Sequence, residues 1–141
     1  MLKIELKKNL LETLIGQQLR KIFIKPNQEF TSENMLLDEI VFCFSESRMK
    51  VYPLPETDEI GVKISSSSLE FIHASYEESY FVEKDKYLNT FWLCTNGQGY
   101  FDLFILSFDY LHPSIMILSE GTVLKLCIPK FIEKYDSSNK K

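Results

Sequence analysis

The sequence holds few of the residues that build metal sites and covalent links. Its 141 residues include three cysteines and two histidines, all far apart in the chain. The cysteines form no C-x-x-C pair and lie in apolar, strand-like runs, which favours small buried side chains in a reducing compartment. Neither histidine has a partner at metal-ligand spacing. We therefore expect no metal and no cofactor.

The sequence also lacks long apolar runs and long stretches of glycine or proline. No run approaches the roughly 18 residues needed to span a bilayer, and Asp102 interrupts the stretch Tyr100–Phe108. The first residues carry several lysines but no long uncharged stretch and no small-residue cleavage pattern, so we expect no signal peptide. These features predict a cytoplasmic location, one globular domain over residues 1–136 and a flexible tail over residues 137–141.

What the chain does contain is β-forming sequence. Aromatic residues make up 13% of it, which favours strands. Short connections between successive strands imply antiparallel pairing. We predict an α+β fold, with a mainly antiparallel curved sheet or partly open barrel of about seven strands and one or two short helices. The predicted strands are Arg20–Lys25, Asp38–Phe44, Met49–Tyr52, Ile60–Ile64, the two arms of a hairpin over Leu88–Phe108, Ile115–Leu118 and Val123–Ile128.

Two segments permit more than one reading. Near the start, Leu2, Ile4 and Leu6 alternate as in a strand, yet leucines also share a helical face. We favour a short helix over Leu10–Ile15, extendable toward the N-terminus, with Asn9 and Glu12 as a capping box and Gly16 as its stop. The segment Leu69–Tyr76 can form either a helix or a strand.

The hairpin over Leu88–Phe108 has apolar residues in both alternation phases. A strand with water on one face should alternate, whereas a strand covered on both faces need not. We therefore predict that this hairpin is the buried centre of a sheet covered on both sides. Its turn contains Gly97 and Gly99, which we expect at positive φ.

Charge is distributed unevenly along the chain, whose net charge is −4. Residues 28–124 hold sixteen acidic against five basic residues, a balance of −11. This excess argues against direct nucleic-acid binding, which needs clustered lysine and arginine, and suits a basic protein partner. The alternative is an acidic surface that serves only solubility.

The segment Tyr76–Phe81 mixes acidic residues with tyrosines. Tyrosines provide large contact area at protein interfaces, and acids beside them would steer a basic partner. The alternative is that the tyrosines pack inward while the acids face water. The predicted partner-binding residues are Asp58, Glu59, Tyr76, Glu77, Glu78 and Tyr80.

Evidence for catalysis is sparse. Asp102 is the only charge inside its apolar strand, so it should lie at a wet end or pair with a donor such as Asn96, Lys125 or a backbone amide. A structural role for Asp102 is favoured over a catalytic one. An enzyme centred on Asp102 or His112 is the weakest reading, and we predict a non-enzymatic protein. A barrel with an aromatic interior that binds a small ligand is the main alternative function.

The acidic turn Glu56–Glu59, Trp92 and the turn Asn96–Asp102 together resemble those of a small bacterial family of single-domain proteins. Proteins of this size and charge are similar to the immunity proteins of toxin–immunity pairs. The resemblance implies a cytosolic, acidic, non-enzymatic protein that inhibits a cognate toxin, with a nuclease as the expected class. It supplies no catalytic residues.

Overall fold

The computed structural model describes residues 3–27, 36–66, 75–109 and 111–129. These residues form one helix and nine strands. In chain order they are α1 (Lys3–Glu12), β1 (Leu19–Pro26), β2 (Leu36–Phe44), β3 (Ser47–Leu54), β4 (Glu59–Ser66), β5 (Glu77–Ser79), β6 (Leu88–Thr95), β7 (Phe101–Phe108), β8 (Ile115–Glu120) and β9 (Val123–Cys127).

The strands form a single antiparallel sheet that curls into a half-barrel. Its main order is β4-β3-β2-β9-β8-β7-β6, and β1 pairs with both β2 and β5. The expected α+β class with a mainly antiparallel, curved sheet is confirmed, although helix contributes only one short element to the described residues. Every strand predicted from alternation or apolar runs is present, mostly with a few additional residues at its ends.

The concave side of the sheet encloses the core. Phe42, Phe104 and Phe108 are among its largest fully buried side chains, and the helix and the turn after it add Leu11 and Leu14. Complete burial of one such side chain is worth about 1.5–3 kcal/mol. The alternate residues of the same strands therefore point to the convex side of the half-barrel.

Helix α1 lies across the opening between β4 and the β6–β7 hairpin. The Lys7 ammonium donates to the Ile60 carbonyl of β4 at 3.4 Å and lies 5.2 Å from the centre of the Phe101 ring of β7. Four residues beyond the helix end, the Gly16 amide donates to the Leu88 carbonyl of β6 at 2.8 Å. Lys7 thus ties the helix to β4 and β7, and the turn after the helix is tied to β6.

The bounds predicted for this helix were wrong. It begins at Lys3 and ends at Glu12, so Asn9 and Glu12 lie inside it rather than forming a cap. After Glu12 the Thr13, Leu14 and Ile15 amides donate to carbonyls three residues earlier, so the chain tightens into turns and the α-helix ends there. Gly16 does occur at positive φ, 91°, in the turn that follows.

Backbone hydrogen bonds join the start of β1 to the segment before β6. The Leu19 amide donates to the Lys86 carbonyl, and the Asp85 amide donates to the Leu19 carbonyl, each at 2.7 Å. Gln18 and Tyr87 form an isolated antiparallel bridge between them. These bonds hold the start of β1 against the segment that leads into β6.

The predicted central position of the hairpin was wrong for its first arm. β6 is the last strand of the main order, and Trp92 on it is 37% exposed.

The positive φ predicted for Gly97 was also wrong, whereas Gly99 has φ 89°. The Asn96 side-chain oxygen accepts from the Gln98 and Tyr100 amides, and this local bonding shapes the turn without a second left-handed residue.

Several predictions fall outside the described residues. These include His73, most of the segment Leu69–Tyr76 and the tail at residues 137–141. Tyr76 itself is described and lies immediately before β5. Among the described residues, no helix combines the length and the apolar character needed to cross a membrane.

Candidate protein-interaction surface

The six predicted partner-binding residues form two separate groups. Asp58 and Glu59 lie at the start of β4, whereas Tyr76, Glu77, Glu78 and Tyr80 lie in or beside β5. The strands β5, β1, β2, β3 and β4 pair in that order, so four inter-strand steps separate the groups. At about 4.8 Å per step this is roughly 19 Å along the sheet. The two groups do not form one patch.

Asp58 and Glu59 connect three turns of the sheet. One Glu59 carboxylate oxygen accepts from the Phe101 amide at 3.2 Å, and the other accepts from the Thr57 hydroxyl at 2.9 Å. The Ser119 hydroxyl donates to the Glu59 carbonyl at 3.1 Å. The Asp58 carboxylate accepts from the Gly121 amide at 3.0 Å. These bonds hold the β3–β4 turn against the start of β7 and the β8–β9 turn.

The three turns assembled in this way carry five acids, which we call the acidic rim. The segments 54–59, 95–102 and 119–122 contain no lysine or arginine. Glu56, Asp58 and Glu120 are exposed, and Glu59 and Asp102 are half-buried. The members of the acidic rim are Glu56, Asp58, Glu59, Asp102 and Glu120. Lys7 of α1 also approaches this end, beside Ile60 and Phe101, so the five acids leave this end of the molecule with a net negative charge.

Sequence reasoning selected only two members of the acidic rim. Glu56, Asp102 and Glu120 were missed as partner-binding candidates because they are far apart in the chain and meet only through the strand order. The signal that could have found them is topological. Alternate turns of an antiparallel meander emerge at the same end of the sheet, so acids in those turns approach one another.

Asp102 has the side-chain donor that the sequence predicted. The Asn96 amide nitrogen donates to the Asp102 carboxylate at 3.3 Å. Burial, together with the nearby charge of Asp102, raises the pKa of the Cys94 thiol. The arrangement is that of a hydrogen-bonded structural acid at the edge of the acidic rim.

The group around β5 differs because bases accompany its acids. Residues 76–86 and strand β1 together contain four acids and five bases. Arg20 lies 3.6 Å from Asp85, and the Lys84 ammonium lies 5.9 Å from the centre of the Tyr80 ring. This part of the surface therefore has no excess of negative charge.

Tyr76 is half-buried and donates its hydroxyl proton to Glu39. The ammonium of Lys50 lies 4.0 Å from the same carboxylate. Burial, and secondarily the hydrogen bond to Glu39, raises the pKa of Tyr76. The contact fits the reading in which this tyrosine packs inward, while Tyr80 remains 68% exposed.

The convex side of β6, β7, β8 and β9 carries an unusual concentration of apolar residues, which we call the apolar face. Strand pairing places Trp92, Ile105, Met116 and Cys127 in one row across the four strands. A second row contains Cys94, Leu103, Leu118 and Lys125. The apolar face consists of Trp92, Cys94, Leu103, Ile105, Met116, Leu118 and Cys127. Lys125 is its only charged neighbour within these rows.

The remainder of the convex side, over β1 to β5, is charged, and we call it the charged half. There Val41 is flanked in register by Phe23 and Lys50, and Cys43 by Lys21 and Arg48. Lys63 follows Lys50 in the same row, and Glu78 follows Phe23. The two halves of one sheet surface thus differ sharply in composition.

The described residues offer little that resembles a metal or small-molecule site. Among them, no group of three or more His, Cys, Asp and Glu side chains could hold a metal ion. A shallow pocket of about 190 Å³ is lined by Val82, Glu83, Lys86, Phe108 and Ser114. Lys86 in this pocket already lies 3.5 Å from Glu83 and 3.7 Å from Asp109. With one phenylalanine and no tyrosine, the pocket differs from the aromatic cavity that the ligand-binding alternative requires.

Comparison with curated proteins and with solved structures returned no match. A family model does match, and it covers residues 3–132. That range includes the helix, all nine strands, the acidic rim and the apolar face. The chain therefore belongs to DUF6334, a family of unknown function.

Proposed function

We propose that this chain is a cytoplasmic, non-enzymatic binding protein of the immunity type. Its partner is a basic protein, such as a nuclease toxin encoded beside it, and the acidic rim neutralises that toxin by covering its cationic site. A toxin that acts on nucleic acid must present positive charge to phosphates, so an acidic protein surface can compete for the same site.

The observation that carries the proposal is the convergence of the acidic rim. Five acids come from three turns that are distant in sequence, and fixed hydrogen bonds from Asp58 and Glu59 hold those turns together. Pre-organised charge favours rapid association with a partner of opposite charge. Tyr100 lies in one of these turns and is 39% exposed, so the surface also offers an aromatic contact.

Solubility alone is a weaker explanation for this arrangement. A surface that only needs to be solvated can have its charges of both signs interspersed, as on β1 and the β5 segment. The three rim turns instead contain acids without lysine or arginine. Of the predicted partner-binding residues, Asp58 and Glu59 therefore belong to the proposed binding surface. The proposed surface leaves out Tyr76, Glu77, Glu78 and Tyr80. The sequence-based prediction that these four residues bind the partner is the competing assignment, which the control variant below tests.

The test is binding of the purified chain to the protein encoded by the neighbouring gene, measured by titration calorimetry at two salt concentrations. The variant Glu56→Lys/Glu120→Lys should bind at least about tenfold more weakly, because reversed charges oppose a basic partner. The matched control, Glu77→Lys/Glu78→Lys, changes net charge equally but lies on β5, four inter-strand steps from β4. Equal losses in both variants would remove the acidic rim as the binding surface, and absence of binding by the unmodified chain would overturn the proposal for that partner.

A further inference from the structure

The apolar face is not accounted for by the folding of the described chain. Its side chains alternate with core residues such as Phe104, Leu106 and Ile117, which fill the concave side. Helix α1 approaches β4 and the start of β7 rather than this face. Trp92 is 37% exposed, Cys127 is exposed, and the other members are half-buried.

The charged half provides an internal comparison. It belongs to the same sheet and also has its inner residues in the core, yet it presents Lys21, Arg48, Lys50 and Lys63 on the convex side. The convex rows of the charged half thus carry several lysines and arginines, whereas the two rows of the apolar face carry only Lys125. Apolar residues in both alternation phases of β6, β7 and β8 indicate strands that are covered on both sides in the working state.

The size of the apolar face indicates what part of an interface it can form. A strand spacing of about 4.8 Å and a same-face repeat of about 6.8 Å give roughly 32 Å² per residue, or roughly 220 Å² for seven residues. A standard interface takes about 800 Å² from each partner. The apolar face is thus large enough for a central hot spot and needs a polar border to complete a binding surface.

The acidic rim provides that border along one side. Asp102 directly precedes Leu103, and Glu120 follows Leu118 by two residues. Cys94 on the apolar face is close enough to Asp102 for its pKa to respond to that charge. Charge complementarity therefore favours a basic occupant. A second copy of this chain would bring another acidic rim to the same border and incur repulsion between like charges.

We infer that the apolar face is the central, desolvated part of the surface that binds the basic protein partner. The partner would insert an apolar prominence against Trp92, Ile105 and Leu118, while its lysines and arginines meet the acidic rim. This inference rests on the proposed function, and it adds that apolar burial, in addition to charge, determines affinity.

The experiment compares three variants in binding the protein encoded by the neighbouring gene. Trp92→Ala should weaken binding about 30-fold, as expected for a central tryptophan. Ile105→Thr keeps a β-branched residue, so it tests the same face with less risk to folding, and it should weaken binding about tenfold. Phe23→Thr makes a similar change in the charged half and should leave affinity unchanged. Circular dichroism establishes that each variant is folded.

The native cysteines supply a second measurement on the unmodified complex. Alkylation by iodoacetamide, followed by mass spectrometry, should slow at Cys94 and Cys127 when the partner is bound. Cys43 lies in the charged half and should react at the same rate with and without the partner. Light scattering on the free chain, repeated with Ile105→Thr, detects any association between copies.

The outcomes separate this inference from the proposed function. If the Glu56→Lys/Glu120→Lys variant loses binding but Trp92→Ala and Ile105→Thr do not, the acidic rim stands and the inference fails. A free chain that is dimeric, and becomes monomeric with Ile105→Thr, would assign the apolar face to a second copy and overturn the inference. If the unmodified chain does not bind, both fail together.

Discussion

Among single side chains, Tyr76 illustrates how a residue chosen for binding can also contribute to stability. Its hydroxyl donates to Glu39 on β2, so it links the segment before β5 to the middle of the sheet. A hydrogen bond to a charged group contributes about 1.5–3 kcal/mol, and partial exposure reduces that value. Burial and this hydrogen bond both favour the protonated phenol, which is why the pKa is raised.

We expect Tyr76→Phe to lower the free energy of unfolding by about 1 kcal/mol at neutral pH, because the hydrogen bond is lost. A pKa that is raised in the folded state means that the folded chain holds this proton more tightly than the unfolded chain. The contribution is therefore complete below the ordinary tyrosine pKa of about 10 and declines as pH rises above it.

Urea unfolding at pH 7, 9 and 10.5 measures this effect. The difference between the unmodified chain and Tyr76→Phe should shrink at the highest pH. Tyr80→Phe is the control, since Tyr80 is 68% exposed and should show no difference at any pH. A gap between the unmodified chain and Tyr76→Phe that widens with pH would contradict the role given to the phenol.

Gly61 shows a second constraint that depends on one neighbour. Tyr52 lies opposite Gly61 in the register of β3 and β4, and its ring covers the glycine. A Cβ built on Gly61 would lie 2.4 Å from the nearest ring atom of Tyr52. The glycine is required by the position of that ring rather than by its own backbone angles.

We expect Gly61→Ala to destabilise the fold by about 1–3 kcal/mol through overpacking. In a Tyr52→Ala background the same change should cost far less, because the obstructing ring is gone. A double-mutant cycle from urea unfolding gives the coupling between the two sites. Additive effects would show that the ring does not impose the glycine.

In the strands and turns, Glu59 accepts hydrogen bonds from three residues, Thr57, Phe101 and Ser119. It bonds the Phe101 amide across from β4 to β7 and also orders its own turn through Thr57. These contacts stabilise the arrangement that creates the acidic rim. A residue selected from sequence for its exposed charge thus contributes mainly by positioning the other acids.

We expect Glu59→Ala to destabilise the fold by about 1–3 kcal/mol, because it leaves the Phe101 amide without its acceptor. Glu56→Ala, in the same turn but exposed, should change stability by less than about 0.5 kcal/mol. Thermal unfolding measures the stability of the two variants. Each variant removes one negative charge, so the change in net charge is the same in both. Equal stability of both variants would mean that Glu59 does not hold the turns together.

The predictions for single strands and turns were confirmed where the local sequence pattern decides the structure. Ile60, Val62 and Ile64 alternate with polar or small residues, and the strand there is confirmed. The donor expected for Asp102 is Asn96, which is six residues away and within reach of a local turn. By contrast, the bond from Phe101 to Glu59 joins residues 42 positions apart, and only the tertiary register brings them together.

For the complete fold, the hairpin over β6 and β7 shows what the apolar pattern of a sequence cannot predict. Apolar residues in both phases correctly indicated two apolar surfaces, but they could not reveal that one surface is only half-buried in the described chain. The position of β6 at the end of the strand order depends on pairings with distant strands. The acidic rim was out of reach for the same reason, since its turns meet only after the sheet has curled.

The resulting molecule has a curled-sheet scaffold with three distinct outer regions. Helix α1 and the β1–β6 contacts complete the half-barrel around its core. Around β1 and the β5 segment, acidic and basic residues occur in similar numbers. The acidic rim and the apolar face adjoin each other on the opposite part of the sheet. An interface with an apolar centre and an acidic border follows from this division.

Hydrogen exchange, measured by mass spectrometry with and without the protein encoded by the neighbouring gene, locates this interface directly. We expect slower exchange in peptides that cover the turns at residues 95–102 and 117–122 and the strands β6 to β8. Peptides that cover residues 76–82 should exchange at equal rates in both samples. Protection confined to residues 76–82, with the acidic rim unaffected, would contradict the account.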